Sequence, residues 1–230
     1  MTMAIFRARA VFFDLDNTLF DHQSSARAGV TALLMGLGCP DEAGLQRTWA
    51  ELEGQYFHQY LQGNLSFQDQ RRARMRSFLR AAGLEASQDE GALDDWFTAY
   101  LVAARAAWTA FPDVSETLQK LRNSGTSIAV VTNGSQSQQV EKMQAMGIAK
   151  LVDDVFTSEA TGHAKPAAEA FLIPCAALGV APAEALHVGD DPMADFEGAK
   201  RAGLQSVLLD RSSTVDGSAL HTLADLHVQA

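Results

Sequence analysis

Asp14 and Asp16 are separated by one leucine and end an apolar run, Val11-Phe12-Phe13, with Thr18 just beyond. A buried strand that terminates in two acids is costly, because like charges repel and each carboxylate loses water. A divalent cation with a chemical task offsets that cost; an ordinary strand end with two solvated acids is the alternative. Three further polar clusters follow: Thr132-Asn133-Gly134, Lys165-Pro166, and Gly189-Asp190-Asp191-Pro192-Met193-Ala194-Asp195. Singly they read as a turn, a helix start, and a loop entering a helix with an acid in its first turn. Together they meet the needs of phosphoryl transfer. One carboxylate attacks phosphorus and forms an aspartyl phosphate. A second protonates the leaving oxygen, then deprotonates the hydrolytic water. Mg2+ held by carboxylates neutralises the phosphoryl oxygens. Hydroxyl, amide, lysine and backbone N–H donors surround the transferring group.

The elements that must position these groups follow from the apolar pattern. Runs at 10–13, 127–131, 154–157, 186–188 and 206–209 read as strands, apolar on both faces as a covered parallel sheet requires. Between them fall a helix from the cap pair Asp113 and Glu116 to Asn123, one over 135–146, one starting near Pro166 and kinked at Pro174, and one over 193–202. The weakly patterned tail, 212–230, holds one short helix near 220–226. Strand–helix alternation implies right-handed crossovers. Ligands of such sheets bind outside the carboxyl ends of the strands, and each polar cluster lies at or beside such an end.

Between 21 and 107 helical periods dominate, with helices over 24–36, 41–62, 66–82 and 89–107. Ser66 with Asp69, and Ser87 with Glu90, have capping-box spacing. The aromatic stripes Trp49/Tyr56/Phe57/Tyr60 and Phe78/Trp96/Phe97/Tyr100 read as helix–helix core. The expected fold class is α/β: a Rossmann-like parallel sheet core, 1–20 and 108–230, with an inserted α-helical bundle, 21–107. The insert leaves from a strand end and is expected to cap the site.

The 230 residues carry a net charge of −10 with no Lys/Arg block. That excludes nucleic acid and anionic membrane as main partners, and an anionic substrate needs local positive charge. Cys39 and Cys175 lack metal spacing and read as core thiols in a reducing, cytoplasmic compartment. The six histidines show no metal pattern. The expected partner is a small phosphorylated metabolite, and the expected assembly a monomer or homodimer.

The four clusters, in this order, resemble the motifs of the haloacid dehalogenase-like hydrolase superfamily. Asp14-Leu15-Asp16-Asn17-Thr18 is similar to its DxDxT motif, Val130-Val131-Thr132-Asn133-Gly134 to its second, Lys165-Pro166 to its third, and Gly189 through Asp195 to its GDxxxxD motif. The likeness spans nearly the whole chain, and the insert resembles that of the small helical-cap subfamily. It implies that Asp14 is nucleophile and metal ligand. Asp16 is the acid/base and binds metal through its carbonyl, and Asp190 binds Mg2+. Thr132 and Asn133 hold phosphate, Lys165 neutralises nucleophile and phosphate, and Asp195 orients Lys165 or the metal shell. Thr18 and Gly134 support the motifs, and Asp191 is given no direct ligation.

Within that superfamily true haloacid dehalogenases lack the second acid, because a halide needs no proton; Asp16 therefore favours a phosphate monoester. Phosphomutases keep both acids but commonly show glycine at the place of Asn17. A scaffold that has lost activity is the reading from another class. The Thr-Asn-Gly form resembles the branch of nucleoside 5′-monophosphatases and N-acylneuraminate-9-phosphatases. The segment Gly63-Asn64-Leu65-Ser66 followed by Arg74 does so too. Arg74 is then a candidate for reaching the leaving group; the alternative is a surface arginine.

Overall fold

The computed structural model describes residues 5–40, 43–86, 88–212 and 219–229. In chain order the first elements are β1 (Ile5–Arg7), β2 (Ala10–Phe13), α1 (His22–Gly36), α2 (Ala43–Leu61), α3 (Phe67–Ala81), α4 (Glu90–Ala106) and α5 (Val114–Asn123). Then come β3 (Ser127–Thr132), α6 (Gln136–Ala145), β4 (Asp154–Thr157), α7 (Ser158–Thr161), α8 (Glu169–Ala177) and β5 (Ala185–Gly189). A π-helical turn (Pro192–Glu197), α9 (Gly198–Arg201), β6 (Gln205–Leu208) and β7 (His227–Gln229) complete the chain. It divides into two units, Met1–His22 with Trp108–Ala230, and Gln23–Ala107.

In the first unit five strands form one parallel sheet in the order β4-β3-β2-β5-β6. The strands fall where the apolar runs predict them. Successive strand residues face opposite sides. Val11, Phe13, Ile128, Val130, Leu186 and Val188 enter one buried cluster, while Ala10, Phe12, Ala129, Val131 and Ala185 enter another with Phe171. The central strands β2 and β5 are buried on both faces, and each fully buried phenylalanine contributes about 1.5–3 kcal/mol. The strand order reverses at β2, which places a topological switch point at its carboxyl end. There the segments leaving and re-entering the unit pair: Asp21 N–H donates to the Thr109 carbonyl at 3.0 Å, and Phe111 N–H to the Leu19 carbonyl at 3.1 Å.

One pairing was not anticipated, and three local expectations are corrected. The short β1 and β7 pair in parallel as a separate two-stranded sheet; at three residues each they carry too little pattern to read. The tail has a 3-10 turn at Leu223–Asp225 in place of a helix over 220–226; residues 213–218 of that tail lie outside the described residues. The helix expected near Pro166 begins at Glu169, because Asn133 holds the Lys165 main chain; it continues through Pro174, where Leu178 N–H donates to the Pro174 carbonyl at 3.0 Å. The helix expected over 193–202 opens as the π-helical turn, held by Asp191.

Asp113 sits at the N-cap of α5 but makes no side-chain cap hydrogen bond. Its carboxylate accepts both arms of Arg211 at 3.0 Å, Thr222 Oγ1 at 2.6 Å and Leu223 N–H at 2.8 Å. A bidentate charge-assisted pair outcompetes an exposed cap. Arg211 also donates twice to the Thr18 carbonyl, at 2.7 and 3.1 Å, so the loop after β2 is tied to the C-terminal segment. Asp113→Asn is expected to cost about 1.5–3 kcal/mol of unfolding free energy. Burial raises the Asp113 carboxyl, but Arg211, Thr222 and the Leu223 N–H outweigh it and hold the group below the usual range. A depressed acid stabilises the fold above its unfolded pKa and loses that contribution as pH falls through the folded value. The gap in urea midpoint between wild type and variant should therefore be widest near neutrality and shrink in acid.

The second unit is a bundle of helices. Ser66 N-caps α3, accepting from Asp69 N–H at 3.0 Å. Asp89 N-caps α4, accepting from Gly91 N–H; Ser87, expected to pair with Glu90, lies outside the described residues. Trp49, Phe78, Phe97 and Tyr100 are buried with Met75, Leu93 and the α1 residues Val30, Leu33 and Leu34. Of the first aromatic stripe only Trp49 enters that core. Tyr56 hydrogen bonds Ser77; the Tyr60 ring meets Phe57 at a tilt and Phe67 edge to face. At Gly29 an added Cβ would lie 2.5 Å from the Tyr100 ring and 2.9 Å from its carbonyl oxygen, so α1 and α4 approach through the missing side chain.

Candidate active site

The polar clusters at the ends of β2, β3 and β5 meet around Lys165. Asp14 continues the ladder, its N–H donating to the Val188 carbonyl at 2.9 Å. Lys165 Nζ lies 2.6 Å from Asp14 Oδ1 and 2.6 Å from Asp195 Oδ1. Asp195 also binds His187 Nε2 at 2.9 Å and accepts Asp191 N–H at 3.1 Å. Room for Asp195 comes from Gly189, where an added Cβ would lie 2.3 Å from the carboxyl carbon. All three residues are almost fully buried, so an ammonium and two carboxylates depend on one another for solvation.

Oxygens of Asp14, Asp190 and Asp195 lie within 4.8 Å of one another. Burial and the Asp195 charge push the Asp190 carboxyl up to about 7, against the pull of Lys165. Burial likewise raises Asp14 well above its ordinary range; Asp195 and Asp190 add to that, and Lys165 opposes it. Burial works against the Asp195 anion too, but Lys165 and His187 outweigh it and hold the group well below the usual range. A divalent cation fits here: hard carboxylate oxygens converge, and their excess charge is what such an ion neutralises. Asp14 and Asp190 are the carboxylates suited to it, because Asp195 is engaged by Lys165 and His187.

The second acid has different surroundings. Asp16 Oδ1 lies 2.5 Å from Lys142 Nζ, and Oδ2 accepts from Gln139 Nε2 at 3.1 Å. His22 Nδ1 is 3.9 Å from the same carboxylate. Burial alone would raise Asp16, yet Lys142, His22 and Gln139 hold it below its ordinary range. Asn17 supplies the turn between the acids and Thr18 with a left-handed φ of 61°, and the Leu15 carbonyl accepts from Leu19 and Phe20 N–H. Among the described residues the buried Thr18 Oγ1 has no hydrogen-bond partner.

The other expected residues sort as follows. Thr132 Oγ1 stands at the end of β3, accepting from Gln139 Nε2 at 2.8 Å. Asn133, expected to hold phosphate, uses its carboxamide to clamp the third motif: its Oδ1 accepts Lys165 N–H at 2.8 Å and its Nδ2 donates to the Lys165 carbonyl at 3.1 Å. Gly134 N–H donates to Ser158 Oγ at 2.9 Å, which ties the turn to α7. Asp191 caps the π-helical turn by accepting Met193 and Ala194 N–H, each at 2.8 Å. Arg74, the candidate for the leaving group, is not a surface residue. It is buried against the Trp49 and Phe97 rings and ion-paired with Glu53.

Sequence reasoning missed Gln139, Lys142 and the partnership of His187 with Asp195. The available signal was the i, i+3 spacing of Gln139 and Lys142 on the helix that follows Thr132, which puts both on one face.

A family model described as haloacid dehalogenase-like hydrolase matches residues 8–203. Among curated proteins, a ribulose-1,5-bisphosphate 5-phosphatase from Halopiger xanaduensis is 34% identical over 222 residues, covering 92% of this chain and 88% of that protein. The N-acylneuraminate-9-phosphatase of Homo sapiens is 29% identical over 212 residues, covering 90% of this chain and 84% of its own. Among solved structures, a magnesium-bound HAD-hydrolase from Bacillus subtilis matches with a TM-score of 0.81 over 95% of this chain and 96% of that chain. At 21% identity that likeness is one of fold.

Proposed function

The chain belongs to the haloacid dehalogenase-like hydrolases, and from that premise we propose a Mg2+-dependent phosphatase that works through an aspartyl phosphate on Asp14. It is a phosphoric monoester hydrolase of small phosphate esters. The observation that carries the mechanistic reading is the contrast between two acids one residue apart. Asp14 lies against Lys165 in the carboxylate cluster, and Asp16 is turned to Lys142 and Gln139. Without a cation the proton affinities run opposite to these roles, Asp14 raised and Asp16 lowered; the assignment rests on position, and a cation at Asp14 and Asp190 would bring Asp14 back to its ionised form.

In the first step an Asp14 oxygen attacks phosphorus and forms an O–P bond as the ester P–O bond breaks. Asp16 gives its proton to the departing alkoxide. In the second step Asp16 takes a proton from water, whose oxygen attacks phosphorus as the Asp14–phosphorus link breaks. The sum is ester plus water to alcohol plus phosphate, with both acids restored. Lys165 neutralises Asp14 and the phosphoryl oxygens, and the Thr132 hydroxyl donates to them. Mg2+ bound by Asp14, Asp190 and the Asp16 main-chain carbonyl would supply further charge neutralisation at the phosphoryl group. The helical unit, Gln23–Ala107, is read as the cap that selects the substrate. The proposed setting is cytoplasmic; no helix among the described residues is long and apolar enough to cross a membrane.

The test is phosphate release from a panel of nucleotides, sugar phosphates, phosphoglycolate and an aryl phosphate, with Asp14→Asn as control. Release that the control lacks supports the reading. Interconversion of sugar phosphates without phosphate release would replace it with a mutase. EDTA is expected to abolish turnover and Mg2+ to restore it, read as phosphate released per minute. Activity that survives thorough chelation would remove the metal from the scheme.

A further inference from the structure

Gln139 and Lys142 lie three residues apart on α6, and both side chains are buried although both are polar. Burying such groups is costly unless they are partnered, and both turn to the same acid. Lys142 Nζ holds Asp16 Oδ1 at 2.5 Å while resting 4.8 Å from the centre of the Phe20 ring. Gln139 Nε2 reaches Asp16 Oδ2 at 3.1 Å and Thr132 Oγ1 at 2.8 Å. Each oxygen of the Asp16 carboxylate thus has its own donor from one helix face, and one of those donors also touches the expected phosphate ligand. Asp16 is partly exposed, so without these contacts its side chain would be free to change rotamer.

We propose that Gln139 and Lys142 are positioning residues for proton transfer, fixing the Asp16 carboxylate at a set place beside the Thr132 hydroxyl. The inference rests on the phosphatase reading above. It assigns to α6 a part in the chemistry, acting through Asp16, that the motif residues do not include. Proton transfer demands hydrogen-bond reach, and a misplacement of about 1 Å costs on the order of 10²-fold in rate. Removing one partner of such a pair also costs stability, so the urea midpoint of each variant is read beside its rates.

The experiment compares Gln139→Leu, Lys142→Met and Lys142→Arg with wild type on two esters. One is an alkyl phosphate, whose leaving group needs a proton. The other is a strongly activated aryl phosphate, whose leaving group does not. The turnover number on the alkyl ester is expected to fall about 10²-fold in the Leu and Met variants. The initial burst of aryl alcohol, which reports attack by Asp14, should fall at least about tenfold less. Lys142→Arg keeps a cation and should recover most of the alkyl-ester rate. A parallel fall in both rates, or no fall in either, would overturn the positioning role. Wild-type protein that releases phosphate from neither ester would overturn the phosphatase reading, and this inference with it.

Discussion

Asp14→Asn is expected to lower turnover on every ester by at least about 10⁴-fold, the scale seen when a nucleophile is removed from a cooperating set. An amide oxygen at this position carries no charge to deliver to phosphorus, and Asp16 is held by α6 and cannot substitute for it. The fold should survive. Asp14 is raised well above its ordinary range by burial and by the charges of Asp195 and Asp190, against the pull of Lys165. Removing its charge relieves that repulsion, while Lys165 keeps its contact with Asp195. The melting temperature should therefore change little while activity is lost. Wild-type-like turnover in this variant would take Asp14 out of the mechanism.

Lys165→Met is the second large effect, and it strikes stability as well as rate. Lys165 contacts two buried carboxylates. Burial opposes its charge, but Asp14 and Asp195 outweigh that and hold its pKa well above the usual value, so it is an ammonium in the folded state. Removing it strands buried acids, at a cost of about 3–5 kcal/mol. It also removes a cation that neutralises the nucleophile and the phosphoryl group, for a fall in turnover of at least about 10³-fold. The double variant Lys165→Met with Asp195→Asn separates the two effects. It should regain part of the lost urea midpoint, because one stranded charge is gone, and none of the lost rate. A single variant with wild-type stability would show that the Lys165–Asp195 pair does not hold the site together.

The five strands of the main sheet were legible because each is a short apolar run ending in polar residues, and both sheet faces are buried. Three of the four motif clusters were legible for the same reason, since each ends such a run; Lys165-Pro166 lies in the loop beyond β4. What escaped was set by partners far away in the chain. The Lys142–Asp16 pair joins residues 126 positions apart. Asp113 is drawn from its expected cap by Arg211, 98 positions on. The carboxamide of Asn133 is engaged by the Lys165 main chain 32 residues later, a contact its type and place do not announce. Arg74 lies in an arginine-rich stretch that reads as surface. The Trp49 and Phe97 rings and Glu53 that bury it come from two other helices.

The central claim is that catalysis passes through a phosphoryl group on Asp14. It is tested most directly by mixing the enzyme with an ester radiolabelled at phosphorus, quenching in acid within the first turnover, and mapping the label by peptide digestion. The account predicts label on the peptide carrying Asp14, released by hydroxylamine as an acyl phosphate and missing from Asp14→Asn. Rapid turnover with no label on that peptide at any quench time would contradict it.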